Sequence, residues 1–187
     1  GKLCSCDACN LGQAQNRSHR TCRNSPLGDV GEFAEKITGD HFHTNEDPDN
    51  RLMDIMCTGL VLKCYGTKWG ACYVFGAKDG NTVVLAGRDF IGPSEAKGGP
   101  KGQTWFYSDG APEFEYAAQH LNWYHDSSTP GIHESNARAE RYVRWVVNHT
   151  RACLFAAGMP PCMWEMCAPY VCYMKNILKK DGMPSIY

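Results

Sequence analysis

A single aspartate separates a short apolar run from a helical pattern, and this junction constrains the fold more than any other stretch. The run Gln103–Tyr107 predicts a short buried strand, and Asp109 stands just past its end. The pattern from Glu113 to Tyr124 predicts a helix. Thirty residues separate Asp109 from Glu140, which lies on a second predicted helix. Acids on a strand end and on a helix can together hold metal ions.

Three strand-like segments precede this junction, and helical segments lie before and after it. The predicted strands are Glu35–His43, Thr58–Tyr65 and Ala71–Phe75, and a polar strand or loop is expected within Asp126–Gly131. The first predicted helix is Thr82–Ile91, with Asn81 as its N-cap. A long helix is predicted from a cap at Ser135 or Asn136 to about Ala157. The last predicted helix is Met163–Leu178, with a kink at Pro169. The long helix carries an apolar stripe of Ala139, Val143, Val146, Cys153 and Ala157. This order predicts an α/β fold class with one central mixed sheet.

The composition limits the possible partners. With 187 residues, 43% of them hydrophobic and 21% charged, the chain is expected to form one main domain of ordinary size. Its net charge of −1 means that any nucleic-acid surface must be a local patch. Such a patch is predicted on the long helix, which carries Arg138, Arg141, Arg144 and Arg151. No apolar run reaches the roughly 18 residues of a membrane span, so no membrane association is expected.

Eleven cysteines divide into two groups. Seven lie singly in apolar stretches from Cys57 to Cys172 and are predicted to be small core residues in a reducing, intracellular compartment. The others crowd the first 22 residues, where Cys6 and Cys9 form a C-x-x-C pair. This pair suits half of a tetrahedral zinc site, completed by Cys22 with Cys4 or His19, or by residues preceding Gly1. Two free thiols in a disordered tail explain the spacing equally well.

Three acids occupy positions from which they could converge. Asp40 lies on the first predicted strand, Asp109 follows a later strand and Glu140 stands near the start of the long helix. Mg²⁺ prefers a few carboxylates plus water and phosphate oxygens, and paired ions can promote displacement at a phosphodiester. Taken singly, each acid has an ordinary explanation: a turn, an Asx-turn with Gly110, or an ion pair with Arg144. The three together in this order favour a metal site.

The segments Ile37–Phe42, Tyr107–Phe114 and Asn136–Arg141 resemble the three acid motifs of the retroelement integrase core, with the strongest likeness to copia-type LTR retrotransposon Pol polyproteins. The resemblance covers about residues 30–180. It implies an RNase H-like fold with a central mixed five-stranded sheet flanked by helices. It also implies Mg²⁺ or Mn²⁺ held by Asp40, Asp109 and Glu140, and 3′-end processing followed by strand transfer.

The same resemblance implies DNA as substrate, both element ends and target, with Asn136, Arg138, Arg141 and Arg144 as candidate DNA contacts. These arginines could instead simply keep a surface helix soluble. Residues 1–28 resemble the remnant of a His-His-Cys-Cys zinc module, with Cys6 and Cys9 as its second half. The core then spans 29–180, and 181–187 begin a linker. We expect a fragment of a longer polypeptide, a homo-oligomer, and a nuclear location after a cytoplasmic particle stage.

Two departures from the family pattern affect the third acid. The spacing between Asp109 and Glu140 is shorter than the family's usual one, and we place the missing residues in the loop 126–134. Ala137 replaces the glycine that usually follows Asn136, which is compatible with a helix start. Glu134 is a rival third acid on the loop, and Glu140 is preferred because it lies on the helix.

Two other functions are alternatives to an active integrase core: a decayed or domesticated DNA-binding module and an RNase H-type nuclease. Seven further side chains are expected to pack or to lie on the surface and not to act as ligands: His41, His43, His133, Trp105, Trp123, Trp145 and Trp164.

Overall fold

The computed structural model describes residues 32–43, 58–92, 103–127 and 137–178. Five strands form one sheet: β1 (Lys36–His43), β2 (Thr58–Cys64), β3 (Gly70–Phe75), β4 (Trp105–Ser108) and β5 (Tyr124–Ser127). The helices are α1 (Gly80–Ile91), α2 (Pro112–His120), α3 (Ala137–Ala157) and α4 (Trp164–Ile177), the last preceded by a 3₁₀ turn at Pro161–Met163. The predicted fold class is confirmed, and the element order agrees with the prediction.

The sheet is mixed, with strand order β3-β2-β1-β4-β5. The first three strands form an antiparallel meander, and β4 and β5 add to β1 in parallel. Helices α1 and α2 cover one face over a core that includes Ile37, Leu62 and Phe106. Helices α3 and α4 cover β1, β2 and β3 on the other face over a core that includes Phe42 and Val146. The central strand β1 is therefore buried between two helical layers.

Several predicted boundaries were wrong for local reasons. The Asp79 carboxylate, not Asn81, caps α1 by accepting hydrogen bonds from the backbone N–H groups of Asn81 at 2.7 Å and Thr82 at 3.0 Å. Helix α2 ends at His120 instead of Tyr124, because Asn122 adopts a left-handed conformation with φ of 54°. The chain then enters β5 at Tyr124, earlier than the predicted polar segment.

The buried seam of α3 also differs from the predicted stripe. Ala139 and Val146 are buried as expected, whereas Val143 and Cys153 are only partly buried and Ala157 is exposed. The seam runs instead through Ala139, Tyr142, Val146, Thr150 and Leu154. It therefore includes two hydroxyl-bearing residues that an apolar pattern does not select.

The described cysteines agree with the prediction of a reduced core. All six, Cys64, Cys72, Cys153, Cys162, Cys167 and Cys172, carry free thiols, and four of them are buried. Cys57 and the N-terminal cysteines, including Cys6 and Cys9, lie outside the described residues. Within the described helices, none has both the length and the apolar character that a membrane crossing requires.

Candidate active site

Strand β1 places Asp40 on the face of the sheet that α3 covers. Because side chains alternate along a strand, Lys36, Thr38, Asp40 and Phe42 share one face. Phe42 marks that face, since its ring meets Trp164 of α4 with centroids 5.9 Å apart. Ile37 lies in the opposite core with Phe106. Asp40 is therefore half-buried beneath the start of α3.

Asp109 reaches the same place from the parallel strand β4. Lys36, Ile37 and Thr38 of β1 pair with Trp105, Phe106 and Tyr107 of β4. Two residues beyond the last pair, on the same face, β1 carries Asp40 and the chain leaving β4 carries Asp109. The Oδ1 atom of Asp109 is buried and has no hydrogen-bond partner among the described residues. A buried carboxylate oxygen without a donor is a position at which a cation would be stabilised.

The electrostatics of Asp40 show that the acids are neighbours. Burial, followed by repulsion from Asp109, raises the pKa of Asp40 from 3.8 to about 6. Glu140, an exposed residue in the first turn of α3, adds a smaller repulsion. The backbone N–H of His41 and the charge of Lys78 act in the opposite direction. The two aspartates thus form the close pair, and Glu140 interacts more weakly.

The donor set fits a divalent cation that prefers oxygen ligands. The carboxylates of Asp40 and Asp109 lie close together. Burial and repulsion disfavour the charged form of Asp40, and Oδ1 of Asp109 has no hydrogen-bond donor among the described residues. Across the described segments, no three His, Cys, Asp or Glu side chains are already grouped as a metal site. Glu140 is therefore not yet gathered with the two aspartates. The rival acid Glu134 lies outside the described residues, as do His133 and Asn136.

A serine–histidine pair supports the Asp109 backbone. The buried Ser108 hydroxyl donates to the carbonyl oxygen of Asp109 at 2.8 Å and lies 2.8 Å from Nε2 of His125. The hydroxyl that donates to the Asp109 carbonyl can at the same time accept a hydrogen bond from Nε2 of His125 in the tautomer that carries a proton on that nitrogen. Ser108 has no accessible surface, which excludes it as a nucleophile toward a bound substrate. The pair fixes where the chain turns out of β4.

On the other side of β1, an ion pair between the exposed Lys78 and the partly buried Glu113 lies near Asp40. Nζ of Lys78 lies 2.8 Å from Oε1 of Glu113, and Nδ1 of His41 lies 3.7 Å from the same oxygen. The His41 ring stacks on Phe114 with centroids 4.6 Å apart. Burial and the charge of Lys78 lower the pKa of His41 to about 4, so His41 is neutral at pH 7. His41 is a packing residue, as predicted, but its contacts with Lys78 and Glu113 were not anticipated.

A basic pocket of about 280 Å³ opens at the start of α3. Its lining residues are Thr38, Lys63, Cys64, Tyr65, Lys68, Arg138 and Arg141. The Arg138 guanidinium lies over the Tyr65 ring at 4.5 Å, and Arg141 donates from Nε to the Ala137 carbonyl at 2.8 Å. Two of the predicted DNA-contact arginines therefore meet here, whereas the exposed Arg144 is not part of the lining. The two lysines were missed, because they come from the end of β2 and the following turn.

No protein-family model matches the sequence, and no curated protein matches it. Solved structures do resemble the fold. A chain of the simian T-cell lymphotropic virus intasome in complex with PP2A regulatory subunit B56 gamma matches with a TM-score of 0.66 and 12% identity, over 91% of this chain and 59% of that chain. This chain therefore spans less than two thirds of that protein's length.

Two shorter proteins match over most of their own length. The catalytic core domain of BIV integrase matches with a TM-score of 0.57 and 14% identity, over 83% of this chain and 92% of that chain. The HTLV-2 integrase catalytic core domain in complex with magnesium, in its dimeric form, matches with a TM-score of 0.55 and 13% identity, over 84% of this chain and 96% of that chain. The described chain thus has the RNase H-like fold of retroviral integrase catalytic cores.

Proposed function

We propose that this chain is the catalytic core of a DNA integrase from a copia-like LTR retrotransposon Pol polyprotein, a metal-dependent polynucleotidyl transferase that processes 3′ ends and joins them to target DNA. The observation that carries the proposal is the Asp40–Asp109 pair with its unsatisfied Asp109 oxygen. The integrase-core fold of the structural neighbours supports it. The proposal is also supported by the resemblance of three segments, Ile37–Phe42, Tyr107–Phe114 and Asn136–Arg141, to the acid motifs of the retroelement integrase core.

Asp40 and Asp109 would hold Mg²⁺, or Mn²⁺ in its place, and Glu140 would complete the ligand set when DNA binds. The ions would activate the attacking oxygen and stabilise the leaving oxygen at a phosphodiester. Ser108 and His125 keep Asp109 oriented, since the hydroxyl holds the Asp109 carbonyl. Arg138 and Arg141 would contact phosphates, which positions DNA without reading its sequence. Arg144 and Asn136 remain candidates for the same role.

The remaining assignments are proposals from the resemblance. The core would span residues 29–180, act as a homo-oligomer and reach the nucleus. A linker would begin at residue 181. Residues 1–28 would form an incomplete zinc module with Cys6 and Cys9 as ligands. A second candidate function is a DNA-binding module that has lost catalysis. Its supporting observation is that Glu140 is exposed and, within the described segments, not gathered with the two aspartates.

A strand-transfer assay with Mg²⁺ or Mn²⁺ tests the proposal. The wild-type chain is expected to join labelled DNA ends to a target, and Asp109→Asn is expected to abolish joining while leaving DNA binding intact. Asp89→Asn is the matched control, because this exposed aspartate lies on α1 at the opposite face of the sheet. Joining that survives Asp109→Asn would refute the metal assignment. A wild type that binds DNA without joining it would favour the second candidate.

A further inference from the structure

A row of side chains crosses three neighbouring strands on the same face as the acids. Lys36 of β1 pairs with Trp105 of β4, and Trp105 pairs with Tyr124 of β5. The two rings lie 4.4 Å apart at an angle of 46°. They are 40% and 49% exposed, respectively, and they lie on the last two strands of the sheet, of which β5 is the edge. The described helices on this face pack mainly on β1, β2 and β3, so the rings face outward beside them.

Cations connect this aromatic row to the basic pocket. Nζ of Lys36 lies 5.5 Å from the Trp105 ring and 5.7 Å from the Tyr65 ring, and is thus placed between them. Arg138 covers the Tyr65 ring at 4.5 Å. Tyr65 and Arg138 both line the pocket, together with Lys63, Lys68 and Arg141. Trp105 and Tyr124 are exposed and Arg138 is partly exposed, and the buried Lys36 and Tyr65, 9% and 4% exposed, connect them. We name this group the aromatic strip: Trp105, Tyr124, Tyr65, Lys36 and Arg138.

The aromatic strip leads toward the acids. Along β1 the residues on this face are Lys36, Thr38 and Asp40, so the strip lies about 13 Å from Asp40 at roughly 3.3 Å per residue. The row between them contains Tyr107 and Asp126, which pair across β4 and β5. The negative charge of Asp126 interacts with Lys36 and reduces the local positive potential. One bound polymer could span the strip and the acid pair.

The chemistry of the strip selects an unpaired nucleic-acid strand. Aromatic faces stack with exposed bases, and cations beside them neutralise the phosphates of the same strand. A duplex hides its base faces and would use the cations alone. A protein partner is a poorer match, because the centres of protein interfaces are depleted in charged residues, and lysine is especially rare there.

We propose that the aromatic strip binds an unpaired DNA strand, with bases stacked on Trp105 and Tyr124 and phosphates held by Arg138 and the lysines of the pocket, while the buried Lys36 supports the Trp105 ring from below. This inference rests on the proposed action of the chain on DNA. It adds a strand-holding surface outside the carboxylates.

Fluorescence anisotropy in the presence of a chelator tests this inference without any catalysis. Two labelled oligonucleotides of equal length are compared, one with bases and one abasic. Trp105→Ala is expected to weaken binding of the first by at least about fivefold, the loss typical of one base–aromatic stack. Binding of the abasic strand should not change, and Trp105→Phe should retain most of the affinity. Tyr170→Ala, at a tyrosine of α4 that is 51% exposed, is the matched control.

Arg138→Gln should weaken binding of both oligonucleotides, since phosphates are present in each, whereas Arg88→Gln, at an exposed position of α1 on the opposite face of the sheet, should have little effect. Melting temperatures check that every variant is folded. The inference is overturned if the wild type binds neither oligonucleotide, or if Trp105→Ala binds the base-containing strand as tightly as Tyr170→Ala does. It is also overturned if Trp105→Ala weakens both strands equally. A chain that joins DNA yet shows any of these results would keep the proposed function and lose only this surface.

Discussion

Asp40 and Asp109 lie side by side on parallel strands, and their repulsion, added to burial, raises the pKa of Asp40 to about 6. An acid pair arranged in this way works against the folded state, because Asp40 is desolvated and repelled by Asp109, and one Asp109 oxygen has no donor among the described residues. Such a cost is typical of functional sites, where binding of a ligand removes it.

Asp40→Asn is expected to stabilise the chain at pH 7. The pKa of Asp40 is 3.8 in the unfolded chain and about 6 in the folded chain, so the folded state holds an extra proton between these values. The wild type therefore loses stability relative to the variant as the pH rises from about 4 to about 6. The difference should reach about 2–3 kcal/mol at pH 7, measured by urea unfolding at several pH values.

Below about pH 4 the two chains should have nearly equal stability, because Asp40 is then protonated in both states. Glu32→Gln, at an exposed position outside the strands and helices, controls for a general effect of removing a negative charge. A stability difference that is absent at pH 7, or that grows as the pH falls, would show that Asp40 does not experience the burial and repulsion described here.

Asn176→Ala is expected to loosen the attachment of α4 to the sheet. The buried Asn176 side chain accepts from the Gly70 N–H at 3.2 Å and donates to the Gly70 carbonyl at 2.8 Å, at the start of the edge strand β3. Removing the amide leaves buried backbone groups without these partners, at a cost of about 1–3 kcal/mol. Gln119→Ala, at an exposed position on α2, should change stability by no more than about 0.5 kcal/mol. Equal effects from both substitutions would refute this role.

Gly59→Ala is expected to destabilise the central strands by about 1–3 kcal/mol. A Cβ atom at Gly59 would overlap the ring of Phe42, the residue of β1 that pairs with Gly59 and lies two residues beyond Asp40. A Cβ atom at Gly110 would meet only Ser127, at 3.9 Å, so Gly110→Ala is the control for stability. Thermal unfolding distinguishes the two variants. A stable Gly59→Ala chain would mean that Phe42 can move without cost.

Local patterns in the sequence predicted the elements that depend on local physics. The alternation in β1, the apolar run before Asp109 and the helical spacing after Asn136 each appear within a short window, and the strands, helices and acid positions followed from them. The wrong boundaries depended on single residues. Asp79 caps a helix that Asn81 could also have capped, and the left-handed Asn122 ends α2 where the apolar pattern continues.

Contacts between distant segments could not be predicted in the same way. Lys63 and Arg138 line one pocket although they lie on β2 and α3, and neither carries a periodic signal. Trp105 was expected to be a packing or surface residue, and only the strand register places it beside Tyr124 and Lys36. Trp123 and Trp164 are buried, in agreement with the same expectation. The roles of Asp40, Asp109 and Glu140 remain predictions, as do those of Cys6, Cys9 and Asn136, which lie outside the described residues.

The most direct test of the account is the effect of Mg²⁺ and Mn²⁺ on the melting temperature at pH 7. We expect both ions to stabilise the wild type, because a ligand that binds only the folded state adds its binding free energy to stability. Asp89→Asn should respond as the wild type does. Asp40→Asn and Asp109→Asn should be folded and should show little or no response, even where they are more stable without metal. A wild type that does not respond, or an Asp109→Asn chain that is stabilised equally, would contradict the claim that these two aspartates form one metal site.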